Sequence, residues 1–215
     1  MLFSTMSVNV LAGQMGNACY IFLGANFLWG LYCVILLWRR VLSLRFINEQ
    51  AQTEFLRTLQ QMLDAGDFEA AKKMCENEPR ALPQLALAVI ENRDLSESQL
   101  RQLVAELMQR NVLADLDYRL SWVATVIKSG PLLGLFGTVL GMMAAFGRIG
   151  TGEKVQPFQI AAEIAIALIC TAMGLITAIP FNFLLASLNI RVRILQDSLA
   201  SGMTRFLEHF KSVNR

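Results

Sequence analysis

Not one of the first 38 residues carries a charged side chain. The most apolar part of that run, ACYIFLGANFLWGLYCVILLW at 18–38, is long enough to cross a bilayer as a helix rising about 1.5 Å per residue. Two further runs share this character. Residues 120–147 hold one charge, Lys128, and residues 158–190 hold one, Glu163. Three such runs in 215 residues predict an all-α membrane protein, because a spanning segment must satisfy its own backbone polar groups. A mean hydropathy of +0.45 agrees. Arg39, Arg40 and Arg45 follow the first run, and Arg191, Arg193 and Arg205 follow the third. Positive residues stay in the cytoplasm, which predicts a periplasmic N-terminus and a cytoplasmic C-terminus. A cleaved signal peptide needs a basic segment before its apolar core, and none precedes residue 18 here, so the first run reads as an uncleaved anchor.

The resulting layout has seven parts: a periplasmic N-terminus (1–17), a first span (18–38), a cytoplasmic helical region (39–119), a second span (120–147), a periplasmic loop (148–157), a third span (158–190) and a cytoplasmic C-terminal helix (191–215). The second and third runs are longer than the ~20 residues a bilayer requires, so both helices are expected to extend into the cytoplasm. Within 39–119, DAGDFEAAKKMC (64–75) reads as a helix end, a glycine turn and a new helix capped by Asp67. Ser96 and Gln99 have capping-box spacing. Leu100, Leu103, Leu107 and Leu113 give the following helix an apolar face.

A net charge of +2 carries no nucleic-acid footprint. One histidine, His209, and four dispersed cysteines offer no metal-ligand or triad spacing. Cys19, Cys33 and Cys170 sit in apolar stretches and read as small hydrophobes, with no disulfide expected. No nucleophile–base pair or phosphate loop stands out either, so the chain is not read as an enzyme.

The second span is unusual in its glycines. Gly130, Gly134, Gly137 and Gly141 are spaced four, three and four apart and, with Ala145, form one helix face. Lipid supplies no hydrophobic drive between helices, so small residues act by letting backbones approach. Thr138 lies on or beside this stripe. In the third span, Glu163, Ala167, Thr171, Gly174, Ala178, Asn182 and Asn189 fall within about a third of the circumference at ~100° per residue. Two readings stay open. The threonines bond their own helix backbones within a packing face, or the two stripes line a shared polar interior. Three spans scarcely enclose a pore, so several copies in a cyclic ring are expected, their small faces meeting at the centre or between subunits.

Two blocks carry a family resemblance. The first is Pro131, Gly134, Leu135, Gly137, Thr138, Val139 and Gly141; the second is Ala167, Leu168, Thr171, Ala172, Gly174, Leu175, Ala178, Ile179 and Pro180. Together they resemble the MotA/TolQ/ExbB proton-channel family, and most closely its TolQ/ExbB branch. The resemblance covers 18–200 in layout and is strong over 127–190. It implies a homopentameric ring around two copies of a single-span ExbD/TolR-like partner that brings a membrane aspartate. It further implies an ion path lined by Thr138 and Thr171, carrying protons (sodium being the alternative), with no cofactor. The site expected from it comprises Thr138, Thr171 and Glu163 for the ion, with Gly134, Gly137, Gly141, Gly174, Ala178, Pro131 and Pro180 as pore-facing or packing positions. Lys128 reads either as an interfacial lysine or as a cytoplasmic gate.

One position departs from the pattern. The TolQ/ExbB branch typically carries a glutamate five residues before the third-span threonine, where this chain has Ile166. Either Glu163 substitutes from a shifted position, or the path works without that carboxylate. The expected function is therefore an ion-channel subunit of a bacterial inner-membrane motor that moves its partner against the cell envelope, as in protein transport. The alternative is a non-conducting oligomeric scaffold in the bilayer.

Overall fold

The structure is a computed structural model that describes residues 2–46, 48–150 and 156–213, with side chains from residue 18 onward apart from those of residues 49 and 213. The described residues are helical and contain no strand. Seven α-helices follow in order: α1 (Leu2–Leu44), α2 (Glu49–Asp64), α3 (Phe68–Glu76), α4 (Ala81–Glu91), α5 (Glu97–Leu107), α6 (Ala114–Gly150) and α7 (Pro157–Val213). A six-residue π-helical segment, Met108–Leu113, connects α5 to α6. Three of these helices are long and apolar enough to cross a membrane. Their apolar stretches lie in α1, α6 and α7, matching the three expected spans. The expected periplasmic loop falls partly on residues 151–155, outside the described residues.

The chain divides into two compact units, and α1, α6 and α7 contribute to both. One comprises residues up to Val34 together with Ser121–Ala186. Its three helices pack through small residues. A Cβ added at Gly134 would lie 2.7 Å from the Cys170 carbonyl oxygen, and one at Gly141 would lie 2.5 Å from the Ala167 Cβ. One at Gly174 would lie 2.6 Å from the Gly130 carbonyl oxygen. As residue numbers rise along α6 they fall along α7, so these segments run antiparallel at backbone contact. The segment of α1 completes the bundle. Gly30 admits Val126 of α6 and Phe181 of α7, and the Phe27 ring lies 5.6 Å from that of Phe181. The glycine stripe thus meets the third span of its own chain. Close approach within this hairpin is one use of the small faces.

The other unit comprises Ile35–Leu120 together with Ser187 onward. Leu188, Val192, Leu195, Leu199, Met203, Phe206 and Phe210 of α7 are all buried there, with the spacings of four and three that define one helix face. Leu59, Leu63, Leu82, Val89 and Leu116 complete its core. The local signals read from the sequence are present. The Asp67 side chain accepts from the Ala70 N–H at 3.0 Å, and Gly66 takes the left-handed turn at φ 77°. The Ser96 N–H donates to the Gln99 side chain at 3.0 Å, completing a capping box. Polar clasps fix α7 to its neighbours. Gln52 donates to the Ser198 carbonyl at 3.1 Å and accepts from the Ser198 hydroxyl at 2.7 Å, and His209 meets Asp64 at 3.0 Å. Lys211 pairs with Glu97, and with Arg101 it holds that carboxyl below the usual range. The Arg40 guanidinium lies 2.9 Å from Asp115, and Arg119 lies 3.0 Å from the same carboxylate.

Candidate functional site: a hydroxyl pair between two close helices

Gly134 and Gly141 let α6 approach α7 so closely that one hydroxyl from each helix meets at the seam. Thr138 and Thr171 share a hydrogen bond through their Oγ1 atoms. Thr138 also donates to the Gly134 carbonyl at 3.0 Å, four residues back on its own helix. The Ala167 carbonyl of α7 lies 3.4 Å from Thr138 Oγ1, and the Gly134 carbonyl of α6 lies 3.2 Å from Thr171 Oγ1. The backbone bond of the first reading is present at Thr138, and the same hydroxyl also pairs across the seam. Two hydroxyls hold two protons and several lone pairs. Whichever way the shared proton points, lone pairs remain for a water, a hydronium ion or a partly dehydrated cation. The hydroxyls are not basic enough to hold an extra proton near neutrality, so storing a proton at this level takes a more basic group such as a carboxylate.

The chain's own nearby carboxylate is Glu163. It lies eight residues before Thr171, about 12 Å along the helix axis, and the structure does not place it at the hydroxyl pair. It forms a salt bridge with Arg148 at 2.5 Å, with 23% of its side chain exposed. Ile166, at the family's glutamate position, is 55% exposed. The remaining predicted positions divide. Ala167, Gly174 and Ala178 of the α7 stripe are buried, and so are Gly134 and Gly137 of α6; Gly141 and Pro131 are half-buried. Asn182, Asn189 and Pro180 are exposed. Lys128 is exposed and forms no ion pair among the described residues.

A second polar layer lies along the same seam. The Asn26 side chain of α1 donates to the Val126 carbonyl at 3.3 Å and accepts from the Ser129 hydroxyl at 2.8 Å. Thr177, 6% exposed, donates to the Met173 carbonyl at 2.9 Å, and its Cβ lies within 4 Å of where a Gly130 Cβ would be. Neither Asn26 nor Ser129 stood among the expected site residues. The available signal was an amide in the middle of an apolar span, which points to a bundle interior. Arg148 was missed because it lies in the short charged stretch after the span, where the sequence gives no reason to pair it with Glu163. All four cysteines are free, and burial pushes the Cys75 thiol up to about 12.

The sequence profile of the MotA/TolQ/ExbB proton channel family matches residues 49–201, more than half of the chain. This protein belongs to the MotA/TolQ/ExbB proton channel family. The chain is 34% identical over 101 residues to the Tol-Pal system protein TolQ of Haemophilus influenzae, covering 47% of this chain and 42% of that one. It is 45% identical over 74 residues to the biopolymer transport protein ExbB of Aquifex aeolicus, covering 33% of this chain and 50% of that one. Over 101 residues it is 35% identical to the biopolymer transport protein ExbB of Neisseria gonorrhoeae, covering 47% and 44%. The matched part spans half or less of the length of these curated relatives. Membership in the TolQ/ExbB branch and the three apolar helices establish a membrane protein of a channel family.

Proposed function

We propose that this chain is an ion-conducting subunit of an inner-membrane motor, with Thr138 and Thr171 on the ion path. The observation that carries this reading is the hydroxyl pair held across the α6–α7 seam in a member of a proton channel family. The ion proposed is the proton. Because the pair cannot itself carry a proton, the path needs a titratable carboxylate at that level. The proposed source is the membrane aspartate of a single-span partner of the ExbD/TolR kind, two copies within a ring of five of these chains. Movement of that partner would power an envelope process, by analogy with relatives named for biopolymer transport and for the Tol-Pal system. The arginines flanking the first and third spans support a periplasmic N-terminus and a cytoplasmic C-terminus. Lys128, exposed after the cytoplasmic end of the second span, is proposed as a residue at the path's cytoplasmic exit.

The test is proton flux in liposomes holding the chain with its single-span partner. Flux is expected, and it should vanish when the partner's membrane aspartate becomes asparagine. The double substitution Thr138→Val and Thr171→Val keeps volume and removes both hydroxyls. It should cut flux at least tenfold while the complex elutes at its normal size. An intact complex that conducts equally well without the hydroxyls would remove them from the path. No flux under a proton or a sodium gradient, from a well-formed complex, would favour the scaffold reading.

A further inference from the structure

Between Asp117 and Asp197 the sequence holds two acids, Glu153 and Glu163; the first lies outside the described residues. Glu163 is three-quarters buried, and its carboxylate is bound 2.5 Å from the Arg148 guanidinium, which is half exposed. The pair continues the antiparallel α6–α7 register that brings Gly141 to Ala167 and Thr138 to Thr171. It therefore lies on the same seam as the hydroxyl pair, about 12 Å further along α7. We propose that the Arg148–Glu163 salt bridge is a latch at the periplasmic entrance of the ion path, and that it must open for a cation to enter. This rests on the ion-path reading above. A free carboxylate at the mouth would collect cations and deliver them toward the hydroxyls. Paired with the guanidinium, the carboxylate has its charge offset and its Oε1 engaged, and the guanidinium itself repels an approaching cation. Because Arg148 is half exposed, the pair is weak enough to open. Its strength thus sets how often the mouth is open.

The experiment is proton flux, read with a pH-sensitive dye, in liposomes holding the chain together with its single-span partner. Arg148→Gln leaves Glu163 free. The expected result is a rise of about fivefold, the population shift from losing a pair worth ~1 kcal/mol at ~1.4 kcal/mol per tenfold. Glu163→Gln should lower flux, and the double variant should show no rise above Glu163→Gln alone, because the arginine acts only through the carboxylate. The exchange Arg148→Glu with Glu163→Arg restores the pair and should return flux to or below the wild-type level. Flux in Arg148→Gln with none in wild type would also support the latch. Equal flux in wild type and Arg148→Gln, still sensitive to Thr138→Val and Thr171→Val, overturns the latch and leaves the path standing. No flux in any variant overturns both. If Arg148→Gln does not purify, Arg148→Lys keeps the charge but loses the forked geometry, and a smaller rise is expected of it.

Discussion

Gly134 and Gly24 lie in spans of one chain, yet they carry opposite expectations for the same substitution. A methyl at Gly134 would sit 2.7 Å from the Cys170 carbonyl oxygen and 2.9 Å from the Thr171 Cα, whereas nothing lies within 4 Å of one at Gly24. Backbone atoms cannot swing aside as a side-chain tip does. Gly134→Ala must therefore push α6 from α7 at the level of the hydroxyl pair. Overpacking of this kind costs about 1–3 kcal/mol, and separating the helices also lengthens the Thr138–Thr171 contact. Gly134→Ala should lower the thermal midpoint in detergent and reduce flux. Gly24→Ala should be neutral or stabilise by up to about 1 kcal/mol, the helix propensity gained. Equal effects from the two would mean that α6 and α7 are not in backbone contact. A residue's type does not distinguish these glycines; the neighbour it meets does, and only spacing hints at that neighbour.

Among the elements, the charged segment of α6 before the span gives the pH-sensitive contact. Burial raises the Asp115 carboxyl, but hydrogen bonds from Arg40 and Arg119 outweigh it and hold it below the usual carboxylate range. A carboxyl depressed on folding contributes stability above its unfolded value, near 3.8, and loses it as pH falls through the folded value. Asp115→Asn should therefore lower the thermal midpoint slightly at neutral pH and remove part of its decline below about pH 4. An unchanged profile would show that Arg40 and Arg119 contribute nothing through this residue. Much at this scale was legible beforehand. Asp67, Gly66, Ser96 and Gln99 mark helix ends through local chemistry, and the spacing of Gly130, Gly134, Gly137 and Gly141 marks a face. What was not legible needed a partner or a continuity. Three-dimensional pairing alone joins Arg148 to Glu163, and Asn26 to Ser129. The backbone of α1 is helical from Leu2, where the sequence predicts only an N-terminal segment ahead of the span. By contrast, the run of α7 from the third span on to Val213 follows the expectation that this helix extends beyond the bilayer, and Gly202 within it does not break the helix.

For the whole molecule, the hydroxyl pair poses a problem that one chain does not solve. Thr138 and Thr171 are half-buried, so each keeps an open side. The outward positions around them are apolar: Leu135, Phe136 and Val139 on α6, with Leu168, Ile169 and Leu175 on α7, are all exposed. Those side chains suit lipid or an apolar neighbour, whereas polar groups within a span belong against an interior or a water-filled path. Because the glycine stripe is already used inside the hairpin, the ring proposed above would leave these bulkier apolar faces to meet between copies. The open side of the hydroxyl pair would then face an enclosed space. In a variant with all four native cysteines replaced, Thr138→Cys should react with a membrane-impermeant, water-borne thiol reagent in the assembled protein. Phe136→Cys, two residues away with its side chain outward, should react only with a lipid-soluble reagent. Protection of both from the water-borne reagent, in an assembly of normal size, would mean that no aqueous route reaches the threonines and would count against ion conduction past them. Labelling at 138 but not at 136 would locate water at the seam, as a path built from hydroxyls requires.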